Sequence, residues 1–158
     1  MKSILLYILM IVPFLSGGND VKVYRGSSRY SADVICTVRD SKVYKGNSSY
    51  SADIVCTVRG NKVYRGSSSY SADVLFTVKD GKVYSGNSSY SADVLFTIRD
   101  GRIYKGNSSY SADVIANLRD GKVYSGNSSY SADIMFNYSG LLTVEEFVAV
   151  WYSVKYVY

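Results

Sequence analysis

The chain has 158 residues, of which 47% are hydrophobic, 15% aromatic and 20% charged, and its formal net charge is +5. That length fits one domain, and the composition excludes both a large multidomain enzyme and a disordered chain. There is no histidine and there are two cysteines, which excludes imidazole-based triads, a thiolate zinc cage and a disulfide-dense scaffold.

Residues 1–18 read as a signal peptide. Lys2 supplies the positive start, and Ile4 to Leu15 is a twelve-residue apolar run interrupted by Tyr7 and Pro13. Such a run is too short to span a bilayer, and Ser16 and Gly18 are small residues suited to a cleavage site. Leu15-Ser16-Gly17 resembles a lipobox, but Gly18 stands where the lipid-bearing cysteine would be, so lipid anchoring is not possible there. The expected location is therefore outside the cytoplasm: periplasm, cell surface or medium. No transmembrane segment is expected in the mature chain.

From residue 19 to 140 the sequence repeats every twenty residues, six times. Tyr24, Tyr44, Tyr64, Tyr84, Tyr104 and Tyr124 share one phase, and Tyr30, Tyr50, Tyr70, Tyr90, Tyr110 and Tyr130 another. A fixed short period is the mark of an array. Within the fourth unit, Tyr90, Ala92, Val94, Phe96 and Ile98 alternate with Ser91, Asp93, Leu95, Thr97 and Arg99. Period two predicts a strand with the first set facing the core. The core is accordingly expected at Val34, Val38, Ile54, Val58, Phe76, Phe96 and Phe136.

Asp100-Gly101 and its copies at Asp80-Gly81 and Asp120-Gly121 predict two-residue hairpin turns, while Gly60-Asn61 fits the glycine-first type and Asp40-Ser41 is the weakest match. Pairing across such a turn sets Thr97 opposite Tyr104 on the outer face, with Leu95 diagonal to that tyrosine. The Gly-Asn-Ser-Ser links suit sharp loops. Their match to the glycosylation sequon is accidental in a bacterial chain. Asp33 and its copies are expected to bond a backbone amide where each strand begins, since one carboxylate per unit does not make a calcium loop.

The array opens with a second strand, Val21 to Arg25, and closes with a first strand, roughly Tyr130 to Tyr138. These halves complete a sixth hairpin. Pairing them would remove both bare edges, so the fold expected is all-β, six tandem twenty-residue hairpin repeats closed into a pseudo-sixfold ring. The alternative is an open, capped solenoid.

Residues 141–158 differ from the repeats. Thr143 and Glu146 form a capping box, and Val144, Phe147, Val148, Trp151 and Val154 follow helical spacing. One amphipathic helix, from about Val144 to Lys155, is expected to act as a plug or lid.

Turn-plus-strand units such as Asp80-Gly81-Lys82-Val83-Tyr84 resemble small exported bacterial proteins of tandem hairpins, of the β-flower type. That resemblance spans Val21 to Gly140 and brings no catalytic residues. The period also resembles choline-binding repeats, but those depend on tryptophan cages, and the array has no tryptophan.

No catalytic residue, metal site or cofactor is expected, and an enzyme is not. Two side-chain sets are candidate ligand-binding residues. One is the Tyr24, Tyr44, Tyr64, Tyr84, Tyr104 and Tyr124 series. The other is ten cations flanking five turns: Arg39 and Lys42, Arg59 and Lys62, Lys79 and Lys82, Arg99 and Arg102, and Arg119 and Lys122. Together they suggest a multivalent surface for envelope polysaccharide or another anionic polymer. The alternative is a structural or protein-interaction component of the envelope, in which the tyrosines only pack hairpins together. Nucleic acid is not an expected partner. Cys36 and Cys56 occupy the same phase in adjacent units, either as buried free thiols or as a disulfide.

Overall fold

The computed structural model describes residues 20–157, so the signal-peptide reading of residues 1–18 lies outside the described residues. Twelve strands follow: β1 (Val21–Arg25), β2 (Val34–Arg39), β3 (Lys42–Lys45), β4 (Ile54–Arg59), β5 (Lys62–Arg65), β6 (Val74–Lys79), β7 (Lys82–Ser85), β8 (Val94–Arg99), β9 (Arg102–Lys105), β10 (Val114–Arg119), β11 (Lys122–Ser125) and β12 (Ile134–Tyr138). They form a closed antiparallel barrel in sequence order. The leftover halves pair as expected, with Val23 opposite Tyr138 and Arg25 opposite Phe136. Closure leaves no edge strand unpaired.

One end of the barrel carries the hairpin turns. Asp40 and Ser41 both have positive φ, as do Asp80-Gly81, Asp100-Gly101 and Asp120-Gly121, whereas at Gly60-Asn61 only the glycine does. These are the two turn families whose twist matches antiparallel strands. Each tip is tied to the next unit: Ile98 donates its N–H to Gly81 O and Tyr138 to Gly121 O. A Cβ at Gly121 would lie 2.4 Å from Tyr138 O, at Gly101 3.0 Å from Leu118 O, and at Gly60 would meet nothing within 4 Å. All three glycines have positive φ. Gly121→Ala should therefore cost most, about 1–3 kcal/mol, with Gly101→Ala intermediate and Gly60→Ala least. Urea melts of the three variants check that order.

The other end opens into six petals. Each petal is a loop of the Gly-Asn-Ser-Ser type ending in a short 3-10 turn, such as Ser91–Asp93, before the next strand begins at Val94. Tyr90 and Ala92 are thus not strand residues, which corrects the longer strand expected from period two. A second correction follows from register. Val83 pairs with Phe96, yet Tyr84 pairs with Val94, so Leu95 is an extra residue in the ladder. A bulge sends two adjacent side chains to the same side. Leu95 therefore joins Phe96 on the lumen side, and Val94 turns outward to meet Tyr84. The same shift recurs at all six junctions between hairpins.

Of the expected core, Val38, Phe76, Phe96 and Phe136 are buried in the lumen, while Val34, Ile54 and Val58 are half-buried. Val34 and Ile54 sit on the outer wall, beyond the bulge.

The tail fills the lumen. The helix α1 (Val144–Tyr152) continues as a wider turn over Ser153–Val157. Thr143 Oγ1 accepts from the N–H of Glu146, and the Glu146 carboxylate accepts from the N–H of Thr143. The capping box is formed as the sequence predicts. The helix is not amphipathic in place: Phe147, Val148, Ala149, Val150 and Trp151 are all buried. A helix covered on every side belongs inside a core. It plugs the barrel and lies closest to β2, β3, β4 and β5.

A single helix cannot match sixfold walls, and one position of the repeat absorbs the mismatch. That position is Cys36, Cys56, Phe76, Phe96, Ala116 and Phe136 in turn. Beside the helix backbone it is cysteine: Cys56 Sγ lies 3.7 Å from Ala149 O. On the far side phenylalanines reach inward, with Phe76 against Tyr152 and Phe96 and Phe136 against Trp151. Ala116, between Phe96 and Phe136 in the ring, leaves the indole its space.

Cys36 and Cys56 are free and buried. Strand β3 stands between theirs, with Lys45 opposite Cys36 and Val43 opposite Cys56. Two strand spacings put the Cα atoms about 9.5 Å apart, beyond the ~7 Å limit for a bridge. The possible disulfide is thereby replaced by two thiols. Burial pushes the Cys36 thiol far up, with the neighbouring Cys56 adding to it, and pushes Cys56 up to about 12. Both should remain protonated at pH 8, so a thiol reagent should label neither until the chain is unfolded in denaturant.

Candidate functional site

The Tyr24 series does not form an open platform. Tyr44, Tyr84, Tyr104 and Tyr124 are buried, and Tyr24 and Tyr64 are half-buried. These rings lie on the outer wall, beside outward-turned residues such as Ile54, Val74 and Val94. They are covered from two directions. Petal loops fold back over them, each pinned by one side chain: Thr37 Oγ1 donates to Gly46 O at 2.7 Å, and Asn137 Nδ2 donates to Gly26 O and Ser28 O at the seam between first and last strands. Over two of the rings an arginine of the adjoining turn lies as well, Arg39 5.8 Å from the Tyr44 centroid and Arg99 5.3 Å from that of Tyr104. Arg102, and after it Arg99, favours the ionised phenolate and holds Tyr104 below the usual phenol range.

The basic rim is likewise partly engaged. The cations of each pair are direct cross-strand neighbours, as with Arg39 and Lys42 or Arg99 and Arg102. Arg39 Nε donates to Asp20 Oδ1 at 2.8 Å and its Nη2 to Oδ2, which holds that carboxyl below its ordinary range. Arg59 reaches carbonyls of its own petal, Ser67 and Ser68. The ten cations thus lie along the outer wall near the tips, where Arg39, Lys42, Lys62, Lys82 and Lys122 are half-buried and Arg59, Lys79, Arg99, Arg102 and Arg119 are exposed.

The exposed aromatics of the repeats are the other tyrosine series. Tyr30, Tyr50, Tyr70, Tyr90, Tyr110 and Tyr130 are 75–78% exposed. Each is held in the same small turn. Ser28 donates its hydroxyl to Asp33 Oδ2 and accepts the N–H of Tyr30, while Asp33 returns its N–H to Tyr30 O. The same bonds recur with Ser48 and Asp53, Ser68 and Asp73, Ser88 and Asp93, Ser108 and Asp113, and Ser128 and Asp133. The carboxylate expected to bond a backbone amide instead accepts a serine hydroxyl five residues back. Neighbouring petals are linked too: Asn47 Nδ2 donates to Ser31 O and Asn127 Nδ2 to Ser111 O. The first petal differs by Arg29, where other units have serine, and forms a shallow concavity of about 740 Å³ with Arg25, Tyr30 and Asp33.

A second group of cations escapes sequence reasoning. Arg25, Lys45, Arg65 and Lys105 end their strands at the petal end, and all are exposed. Lys45 pairs with Cys36, Arg65 with Cys56, Lys105 with Phe96 and Arg25 with Phe136. Directly paired residues share a face, so these cations stand above the lumen-facing ring and surround the barrel mouth. Their common phase is visible in the sequence, but only the closed barrel brings them into one circle.

Six hairpins around one axis, six petals and an antiparallel ring match a known family model over residues 23–151, described as 6-fold beta flower protein. The chain belongs to the 6-fold beta flower family. The match extends through the wall and into the plug helix as far as Trp151, so barrel and plug fall within one family unit. Searches of curated proteins and of solved structures return no match. Among the described residues, no helix of this beta flower protein is long and apolar enough to cross a membrane.

Proposed function

We propose that the protein is an exported, non-enzymatic binding module that holds envelope glycan or another anionic polymer at its petal end. The observation that carries this reading is the crown of six equivalent tyrosines, each exposed and each fixed by the same Ser–Asp bond. Exposed rings suit stacking on sugar faces, and Arg25, Lys45, Arg65 and Lys105 stand at the same end to meet anionic groups. Weak contacts repeated around a ring gain avidity without a deep pocket. The crown replaces the Tyr24 series as the platform, because those rings are covered by the chain's own loops and arginines.

The test is a cell-wall pulldown at low and high salt, using the chain after its leader. Changing one crown tyrosine to serine should weaken retention modestly, and changing all six should abolish it. Stability should stay within about 0.5 kcal/mol per site, since the rings are exposed. High salt should weaken retention, because exposed charges are screened over about 8 Å at physiological strength. Normal retention by the six-serine variant would overturn the reading. The burial of the Tyr24 series favours the second reading, a structural or protein-interaction component of the envelope. No wall retention by the unaltered protein at low salt would move the assignment there.

A further inference from the structure

The barrel mouth at the petal end is not fully plugged. The wider turn Ser153–Val157 leans toward β2. On that side the extra residue of the bulge is covered, as at Ile35. On the opposite side the equivalent residues stay open, Leu95 at 43% and Ile115 at 38% exposure. Between them and the plug lies a cavity of about 470 Å³, lined by Phe76, Leu95, Phe96, Ile115, Trp151, Lys155 and Tyr156. That volume falls in the ~300–1,000 Å³ range of small-molecule sites. Its walls are aromatic and aliphatic. Lys155 is the one charged lining residue among the described residues, with its Nζ 5.4 Å from the Trp151 ring centroid. Among the described residues no carboxylate lines it, and Lys105, paired with Phe96, stands on the adjoining strand at the petal end. A slot walled by aromatic and aliphatic side chains, with cations at its lip, complements a chain that is apolar along its length and anionic at one end.

We propose that this cavity binds a single-chain acyl carboxylate, its hydrocarbon between Leu95, Ile115 and Trp151 and its head at Lys155 and Lys105. The site is the lumen mouth, distinct from the tyrosine crown, and it stands whether or not the crown binds polymer.

Trp151 is the chain's only tryptophan, so its emission reports on the site. The full chain would be titrated with hexanoate, octanoate and decanoate, each below its micelle concentration. Saturable emission changes are expected, with affinity rising about two- to fourfold per added methylene. Decanol and decyltrimethylammonium should bind at least tenfold more weakly than decanoate. Lys155→Met together with Lys105→Met should remove the preference for decanoate over decanol. Ile115→Glu, at a position already exposed, should abolish decanoate binding while the thermal melt stays unchanged. Affinity independent of chain length, equal binding of the ammonium, or unaltered binding by Ile115→Glu would each overturn the proposal.

Discussion

Trp151→Ala is expected to destabilise the protein by about 3–5 kcal/mol, the range for removing a large buried aromatic. The indole is only 4% exposed, with Phe96 at 6.3 Å and Phe136 and Phe147 at 6.4 Å between ring centroids. Its surroundings cannot close over the gap, because the walls are hydrogen-bonded strands in a closed ring and the facing position is already alanine, Ala116. Such sites show the upper end of cavity costs. Urea denaturation of the two proteins measures the difference. A loss below about 1 kcal/mol would mean that the helix does not lie in the lumen.

Cys56→Phe is the second large effect, and its direction follows from a conflict of symmetry. The change would make the second unit resemble the third, fourth and sixth, which carry phenylalanine there. By repeat logic it should be harmless. In the structure the Cys56 sulfur lies 3.7 Å from Ala149 O and 3.8 Å from Ser153 Oγ, so a ring would occupy the helix backbone's place. Overpacking of this kind costs about 1–3 kcal/mol, and the cost arises here because the helix backbone at Ala149 and the Ser153 side chain already occupy the space the ring needs. Trp151 emission should shift to the red as the helix is forced outward. Unchanged stability and emission would show that the helix does not use the cysteine side of the lumen.

Much of the architecture was legible because it rests on local chemistry. Positive φ at Asp-Gly turns specifies hairpins, the unpaired halves at the two ends of the array specify closure, and Thr143 with Glu146 specifies where the helix begins. The candidate site was read less well. Tyr90 continues an apolar alternation and so reads as a strand residue, although the serines and asparagine before it mark a loop. A Ser88–Asp93 bond turns that loop outward and exposes the ring.

The sequence by itself determined the unit, the count and the turns and favoured a ring over an open solenoid, since each depends on residues close together in the chain or on the simple need to pair an edge. Only the tertiary structure decided which side chains face which way. A strand read with strict period two keeps one face throughout, but the extra residue at Leu95 and its copies reverses the face at every junction. That bulge is defined by the partner strand, not by the residues that form it. The same holds for the helix. Its amphipathic stripe left a plug and a lid both open, and the structure makes it the plug, buried from Phe147 to Trp151, because a twelve-stranded ring leaves a lumen that something apolar must fill. What shapes that lumen is the departure of Cys36, Cys56 and Ala116 from phenylalanine, which has meaning only once the helix is inside.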